Sequence, residues 1–161
     1  MSVLGLNRAD FRAIAAQLLE NGHRVRFQAS GSSMQPFIQD NDILEVAPLV
    51  GKRINYGDVL LVENEEGKLL VHRVVKTRYR EGIPIYLIKG DTCTSPDGWF
   101  RVENILGRVE FVQRECQRIN LISYSQRWKT RIWVAITPWV SKFSWLPEWF
   151  RLRIRNWLLV S

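Results

Sequence analysis

From Arg24 to Arg114 the apolar residues come in short runs, each closed by turn chemistry, and this punctuation limits the chain more than any other feature. The candidate strands are Arg24–Gln28, Ile43–Ala47, Val59–Glu63, Leu69–Tyr79, Pro84–Lys89 and Ile105–Arg114. Between them stand Asp40-Asn41-Asp42, Asn55-Tyr56-Gly57-Asp58, Glu65-Glu66-Gly67-Lys68, Glu81-Gly82 and Pro96-Asp97-Gly98. Asn, Asp and Gly tolerate the tight and left-handed conformations of turns, and β-branched runs suit a pleated surface. The pattern predicts a mainly β, coiled antiparallel domain, with Val59–Glu63 and Leu69–Tyr79 joined as a hairpin.

The flanks differ from this body. Asn7 is placed to cap a helix with Asp10 in its first turn, and Phe11, Ile14, Ala15, Leu18 and Leu19 recur at helical spacing. Asn21-Gly22 supplies the stop, and His23 just beyond it suits the negative end of the dipole. Residues 127–161 hold seven of the 23 basic residues against Glu148 alone, and six of the seven Trp. Most of the net charge of +7 therefore belongs to a tail. Pro147 fits a first helical position, with Phe150, Ile154, Trp157 and Leu158 following on one side, although the Leu152-Arg153-Ile154-Arg155 alternation also fits a strand. The expected organisation is an N-terminal helix (1–22), a β domain (23–120) and a basic Trp-rich tail (121–161), largely helical.

Residues 1–22 lack the apolar core of a signal peptide, and the 132–150 segment carries Lys142, Glu148, Pro138 and Pro147, which argue against a span. Trp with Lys and Arg is the composition of segments resting among lipid headgroups, so a peripheral membrane protein is expected, on the cytoplasmic face for want of a signal peptide. Packing of the tail on the β domain or a partner is the plainer alternative. No nucleic-acid partner is expected, because no binding module accompanies the aromatic and basic residues. Cys93 and Cys116 form no zinc spacing or disulfide framework, although they could pair, and no metal or cofactor is expected.

Four residues carry the chemistry. Ser33 lies in Gly31-Ser32-Ser33-Met34-Gln35-Pro36, and His72 opens His72-Arg73-Val74-Val75. Asp91 follows Lys89-Gly90, and Asp97 stands six positions on. A serine hydroxyl is a poor nucleophile until a base removes its proton, and imidazole is suited to that near neutrality. Gly31 would permit close backbone approach, and Pro36 would restrict the chain after the serine. Met34 would fill space beneath the site, and backbone N–H groups, with the Ser32 hydroxyl, could face an oxyanion. Singly, each residue has a structural reading: Ser32-Ser33 as a turn, His72 as a core residue, the aspartates as solvated turn residues, with Asp91 paired to Lys89.

Taken together, Ser33-Met34-Gln35-Pro36, Asp40-Asn41-Asp42, Tyr56-Gly57-Asp58-Val59, Val71-His72-Arg73-Val74-Val75, Lys89-Gly90-Asp91 and Ile105-Leu106-Gly107-Arg108-Val109 resemble signal peptidase I in its Ser-His form, the archaeal and endoplasmic-reticulum type. The resemblance runs from about Arg24 to Val112. It implies the coiled β-sheet fold shared with self-cleaving SOS-type repressors, Ser33 as nucleophile and His72 as general base. The family's later acids map to Asp91 and Asp97; Asp97 matches the residue credited with orienting the histidine, with Asp91 as the alternative for that role. This chain departs from the pattern at Asn41-Asp42, at Thr92-Cys93-Thr94, at Gly31 and in showing no N-terminal anchor. The resemblance implies a serine endopeptidase cleaving a leader or signal peptide near a membrane. Two other readings fit the sequence: a non-catalytic β domain bound to membrane or partner through its tail, and a self-cleaving repressor-like regulator.

Overall fold

The computed structural model describes residues 8–122. The Asn7 cap and the Trp-rich tail, with its expected helix and membrane-surface segment, lie outside the described residues. The chain runs α1 (Arg8–Glu20), β1 (Val25–Gln28), β2 (Ile43–Ala47), β3 (Val59–Glu63), β4 (Leu69–Arg80), β5 (Ile83–Lys89), β6 (Gly98–Phe100), a 3₁₀ turn at Val102–Asn104, β7 (Ile105–Arg114) and β8 (Gln117–Asn120). All strand pairs are antiparallel, in the order β1-β2-β7-β3-β4-β5-β6, with β8 beside β7. The mainly β expectation holds, and β6 and β8 add two strands to the six read from the sequence.

Val59-Leu60-Leu61-Val62 explains how one sheet makes two cores. All four side chains are buried, so β3 is apolar on both faces, as a central covered strand must be. Val59 and Leu61 join Ala15, Leu19, Met34, Ile38, Leu44, Val46, Val109 and Val112 in the first cluster. Leu60 and Val62 join Ile54, Val74, Tyr86, Ile88, Phe100 and Ile105 in the second. The sheet bends to enclose this second cluster by using bulges: the register slips in β2/β7, β3/β7 and β4/β5. An extra residue on one strand increases local twist and coils the sheet.

The helix meets the sheet along a narrower stripe than its periodicity suggests. Ala15 and Leu19 are buried and Phe11 packs edge-on to Phe27 at 5.2 Å, but Ile14 and Leu18 are exposed at 44% and 37%. Contact is close because Gly107 has no side chain: a Cβ there would lie 2.7 Å from Val46 Cγ1 and 3.2 Å from Leu19 Cδ2. The helix ends as expected, with Gly22 at φ +82° and the His23 N–H donating to the Leu18 carbonyl. Among the described residues, no helix is long and apolar enough to cross a membrane.

Three turn aspartates are buried partners of arginines rather than solvated turn residues. Asp42 accepts from Arg114 Nε and Nη2 at 2.9 and 2.7 Å. Asp58 accepts from Arg108 at 3.2 Å, and Asp91 from Arg73 at 2.7 and 2.6 Å. Asp42 and Asp58 also accept backbone N–H groups three residues upstream, from Gln39 and Asn55. Each therefore closes its own turn and clamps it to a strand, which offsets the cost of burying the charge.

Candidate active site

The 29–42 loop that follows β1 carries Ser33. It is held from below by Met34, Phe37 and Ile38, which are all buried; Met34 and Ile38 enter the first core cluster. Met34 thus packs as an apolar side chain beneath the loop. Gly31, at φ +101°, adopts a conformation that other residues rarely take, and its N–H donates to Asp40 Oδ1 at 2.8 Å. Pro36 is buried and follows a cis peptide bond from Gln35. Ser32 is exposed, and its carbonyl accepts from Gln35 N–H and Thr92 Oγ1. Between an exposed Ser32 and a buried Met34, Ser33 is left half-buried at the surface.

His72 comes from β4, opposite Leu60 of β3, and only 7% of it is exposed. Its Nε2 lies 2.9 Å from Ser33 Oγ, and its Nδ1 lies 2.7 Å from Asp97 Oδ2. An ionised carboxylate can only accept, so Nδ1 carries the ring hydrogen in the neutral form. Nε2 is then an acceptor facing the serine hydroxyl, which donates to it. The three groups stand in the relation that proton removal from the serine requires. Asp97 is positioned by the main chain, its N–H donating to the Ile88 carbonyl just before β6.

Asp91, the other aspartate considered for orienting His72, does not touch the imidazole through any described hydrogen bond. Both its oxygens are taken by Arg73, which also donates to the Gly57 carbonyl at 2.9 Å and lies over the Phe37 ring at 4.8 Å. The partner suggested for Asp91, Lys89, is replaced by Arg73 because the turn after β5 directs the carboxylate inward, where Arg73 is 1% exposed. Asp91 still serves the site indirectly. Arg73 adjoins His72, Asp91 adjoins Gly90, and Phe37 belongs to the loop of Ser33, so one buried ion pair spans all three pieces.

Gly90 has a role that the sequence reading missed. A Cβ there would lie 3.0 Å from His72 Nε2, 3.0 Å from the Ser33 carbonyl and 2.7 Å from Cys93 Sγ. The absent side chain lets the 90–93 turn close against the imidazole and the serine loop. Thr92 N–H donates to the Ser33 carbonyl at 2.9 Å, which stitches the turn to that loop. The available signal was a glycine directly after a strand, which often marks a close backbone approach. Cys93 is half-buried beside this turn and Cys116 is exposed; both are free thiols.

Among the described residues no group of His, Cys, Asp and Glu could hold a metal ion. A shallow concavity lined by Arg26, Ile43, Glu45, Phe111, Gln113 and Arg118 contains none of the three reacting groups. Its walls are side chains already committed to one another, as in Arg118–Glu45 at 3.0 Å and Arg26–Gln113 at 2.8 Å. The chemistry therefore points to the Ser33 surface rather than to this depression. Compared with known protein families and with curated proteins, the sequence matches none.

Proposed function

We propose that the protein is a serine endopeptidase resembling signal peptidase I, with Ser33 as nucleophile, His72 as general base and Asp97 as the residue that holds the imidazole tautomer. The observation carrying this reading is the continuous relay Ser33–His72–Asp97, at 2.9 and 2.7 Å, from three segments distant in sequence. This alignment favours catalysis over the reading in which the serine and histidine sit idle on a β scaffold.

In the proposed reaction His72 Nε2 takes the Ser33 proton as Oγ bonds to the scissile carbonyl carbon. The oxyanion is met by the Ser33 N–H, which has no hydrogen-bond acceptor among the described residues; the Gly31 N–H is already given to Asp40 Oδ1. The imidazolium, stabilised by Asp97, then gives its proton to the departing amine and leaves an acyl-serine. A water molecule, deprotonated by His72, releases the acid and restores the serine.

The substrate best suited to this site is an extended peptide. β1 pairs only with β2 among the described strands, and its free edge leads directly into the Ser33 loop. Main-chain pairing along that edge would deliver a carbonyl to the serine with small side-chain demands. A leader or signal segment emerging from a membrane fits this requirement, and the basic Trp-rich tail would hold the enzyme peripherally near it.

The test is covalent labelling by a serine-directed probe together with cleavage of leader peptides. Wild type should label and cleave, whereas Ser33→Ala and His72→Ala should each lose both while keeping wild-type circular dichroism. Cleavage by Ser33→Ala at the wild-type rate would eliminate the mechanism. Intact mass of the purified chain over days at mildly alkaline pH addresses self-cleavage of the repressor kind.

A further inference from the structure

We infer that the outer face of the β4–β5–β6 arm is a docking surface for an anionic lipid bilayer, independent of both the tail and the serine chemistry. Beyond the bulge at Val75, Lys76 pairs with Leu87, Arg78 with Ile85 and Arg80 with Ile83, and Leu87 pairs in turn with Trp99. Residues paired across antiparallel strands share a face. That face therefore carries a row of three cations, a parallel row of three aliphatic side chains and a tryptophan. The opposite face buries Tyr86, Ile88 and Phe100 in the second core cluster.

Burial on the outer face is incomplete. Ile83 is 47% exposed and Trp99 39%, and Ile85 and Leu87 are half-buried. Lys76, Arg78 and Arg80 are exposed and take part in none of the ion pairs among the described residues. Glu81, in the Glu81-Gly82 turn, is the one acid in residues 76–89. Arg78 lies over the Trp99 ring at 4.9 Å, a cation and an indole held side by side.

A solvated strand face explains the cations but not the aliphatic row beside them. A nucleic acid would use the cations and Trp99, yet phosphates gain nothing from Ile83, Ile85 and Leu87. The headgroup region of an anionic bilayer uses all three components: phosphates meet the cations, the indole suits the interface, and the aliphatic row enters the acyl boundary. Trp99 is two residues from Asp97, so a bilayer here would lie close to the candidate site.

The test uses the full chain with Cys93 and Cys116 replaced by Ser and an environment-sensitive fluorophore on Ile83→Cys. A second protein carries the fluorophore on Glu66→Cys, in the turn at the opposite end of β4. Phosphatidylcholine vesicles with phosphatidylglycerol should shift the position 83 emission to the blue, and vesicles without it should not; the position 66 emission should stay unchanged. K76Q/R78Q/R80Q should weaken vesicle affinity about 100-fold at low salt, since each cation near such a surface contributes about 1 kcal/mol. The proposal is overturned if position 83 stays in water while the protein floats with the vesicles, which would leave binding to the tail. It is also overturned if the triple variant binds vesicles within about twofold of its parent, or if a single-stranded oligonucleotide binds tighter than vesicles and produces the position 83 response.

Discussion

At position 90 a single methyl group would crowd the relay. A Cβ would lie 2.7 Å from the Cys93 sulfur, which must shift, and 3.0 Å from His72 Nε2 and the Ser33 carbonyl, which must give by a few tenths of an ångström. Gly90→Ala is expected to lower the acylation rate by up to ~100-fold, the loss that a full misplacement of reacting atoms by about 1 Å would cause. Adding Cys93→Ala should not restore it, because the contacts with imidazole and backbone remain. Parallel labelling kinetics of the single and double variants check this, and full recovery in the double variant would place the obstruction at the sulfur instead. Asp97→Asn tests the other end of the relay. An amide donating to Nδ1 selects the wrong tautomer, so the rate should fall roughly 10³–10⁴-fold with little change in peptide affinity. Ser33 and His72 stood out in the sequence because few residue types could do the proposed chemistry, and the structure brings them to 2.9 Å. The choice between Asp97 and Asp91 was not legible there, since both stand in loops of similar composition and only the inward turn of Asp91 to Arg73 separates them.

Among the elements, β7 combines the most duties, and Glu110 shows how. At its bulge Val46 pairs with Val109 and Glu45 with Phe111, so Glu110 has no residue opposite. Its carboxylate receives Arg24 at 2.8 Å, Lys52 at 2.9 Å and Arg108 at 3.4 Å. Burial opposes its ionisation, but the hydrogen bonds from Lys52 and Arg24, with the charges around them, prevail and hold its pKa below the ordinary 4.5. A carboxyl depressed in the folded state contributes stability that is complete above the unfolded value and lost as pH falls through the folded one. Glu110→Gln should therefore cost roughly 1.5–3 kcal/mol at neutral pH, the range for hydrogen bonds to a charged group. The gap between variant and wild type should close as pH falls through the folded-state pKa, below which the wild-type carboxyl is also protonated. Denaturant titrations at neutral and progressively acid pH measure it, and a gap independent of pH would assign the loss to packing.

The strands that alternate or run continuously apolar were readable, whereas β6 and β8 were not. Gly98-Trp99-Phe100 is three residues long and begins inside a turn signal. Gln117-Arg118-Ile119-Asn120 is mostly polar and follows a turn whose left-handed residue is Glu115, at φ +50°. Neither carries a local pattern, because each is specified by the neighbour it pairs with. The same dependence on neighbours governs α1. Its spacing announced a helix, but which residues of its face are covered depended on where Gly107 allowed it to approach.

For the molecule as a whole, the site is held together by charge buried between segments that share no local sequence. Arg73, on β4, joins Asp91 after β5, the carbonyl of Gly57 before β3 and the ring of Phe37 in the serine loop. Asp91 apart, the sequence displayed these pieces as ordinary turn or strand residues, and only closure of the sheet brings them into one cluster. Removing one partner strands a charge with its side chain about 98% buried, so Asp91→Asn should destabilise the fold by about 3–5 kcal/mol. Replacing both, as in Arg73→Met with Asp91→Leu, removes the uncompensated charge, and much of that stability should return because a buried ion pair gains little over apolar side chains of similar size. Activity should follow a different course. Without the fork that fixes Gly90 against the serine loop, the double variant should stay at least ~100-fold slower in labelling even where its denaturation midpoint approaches wild type. If rate and stability recover together, Arg73 and Asp91 serve the fold alone; if stability returns without the rate, the pair aligns the three segments on which the relay depends.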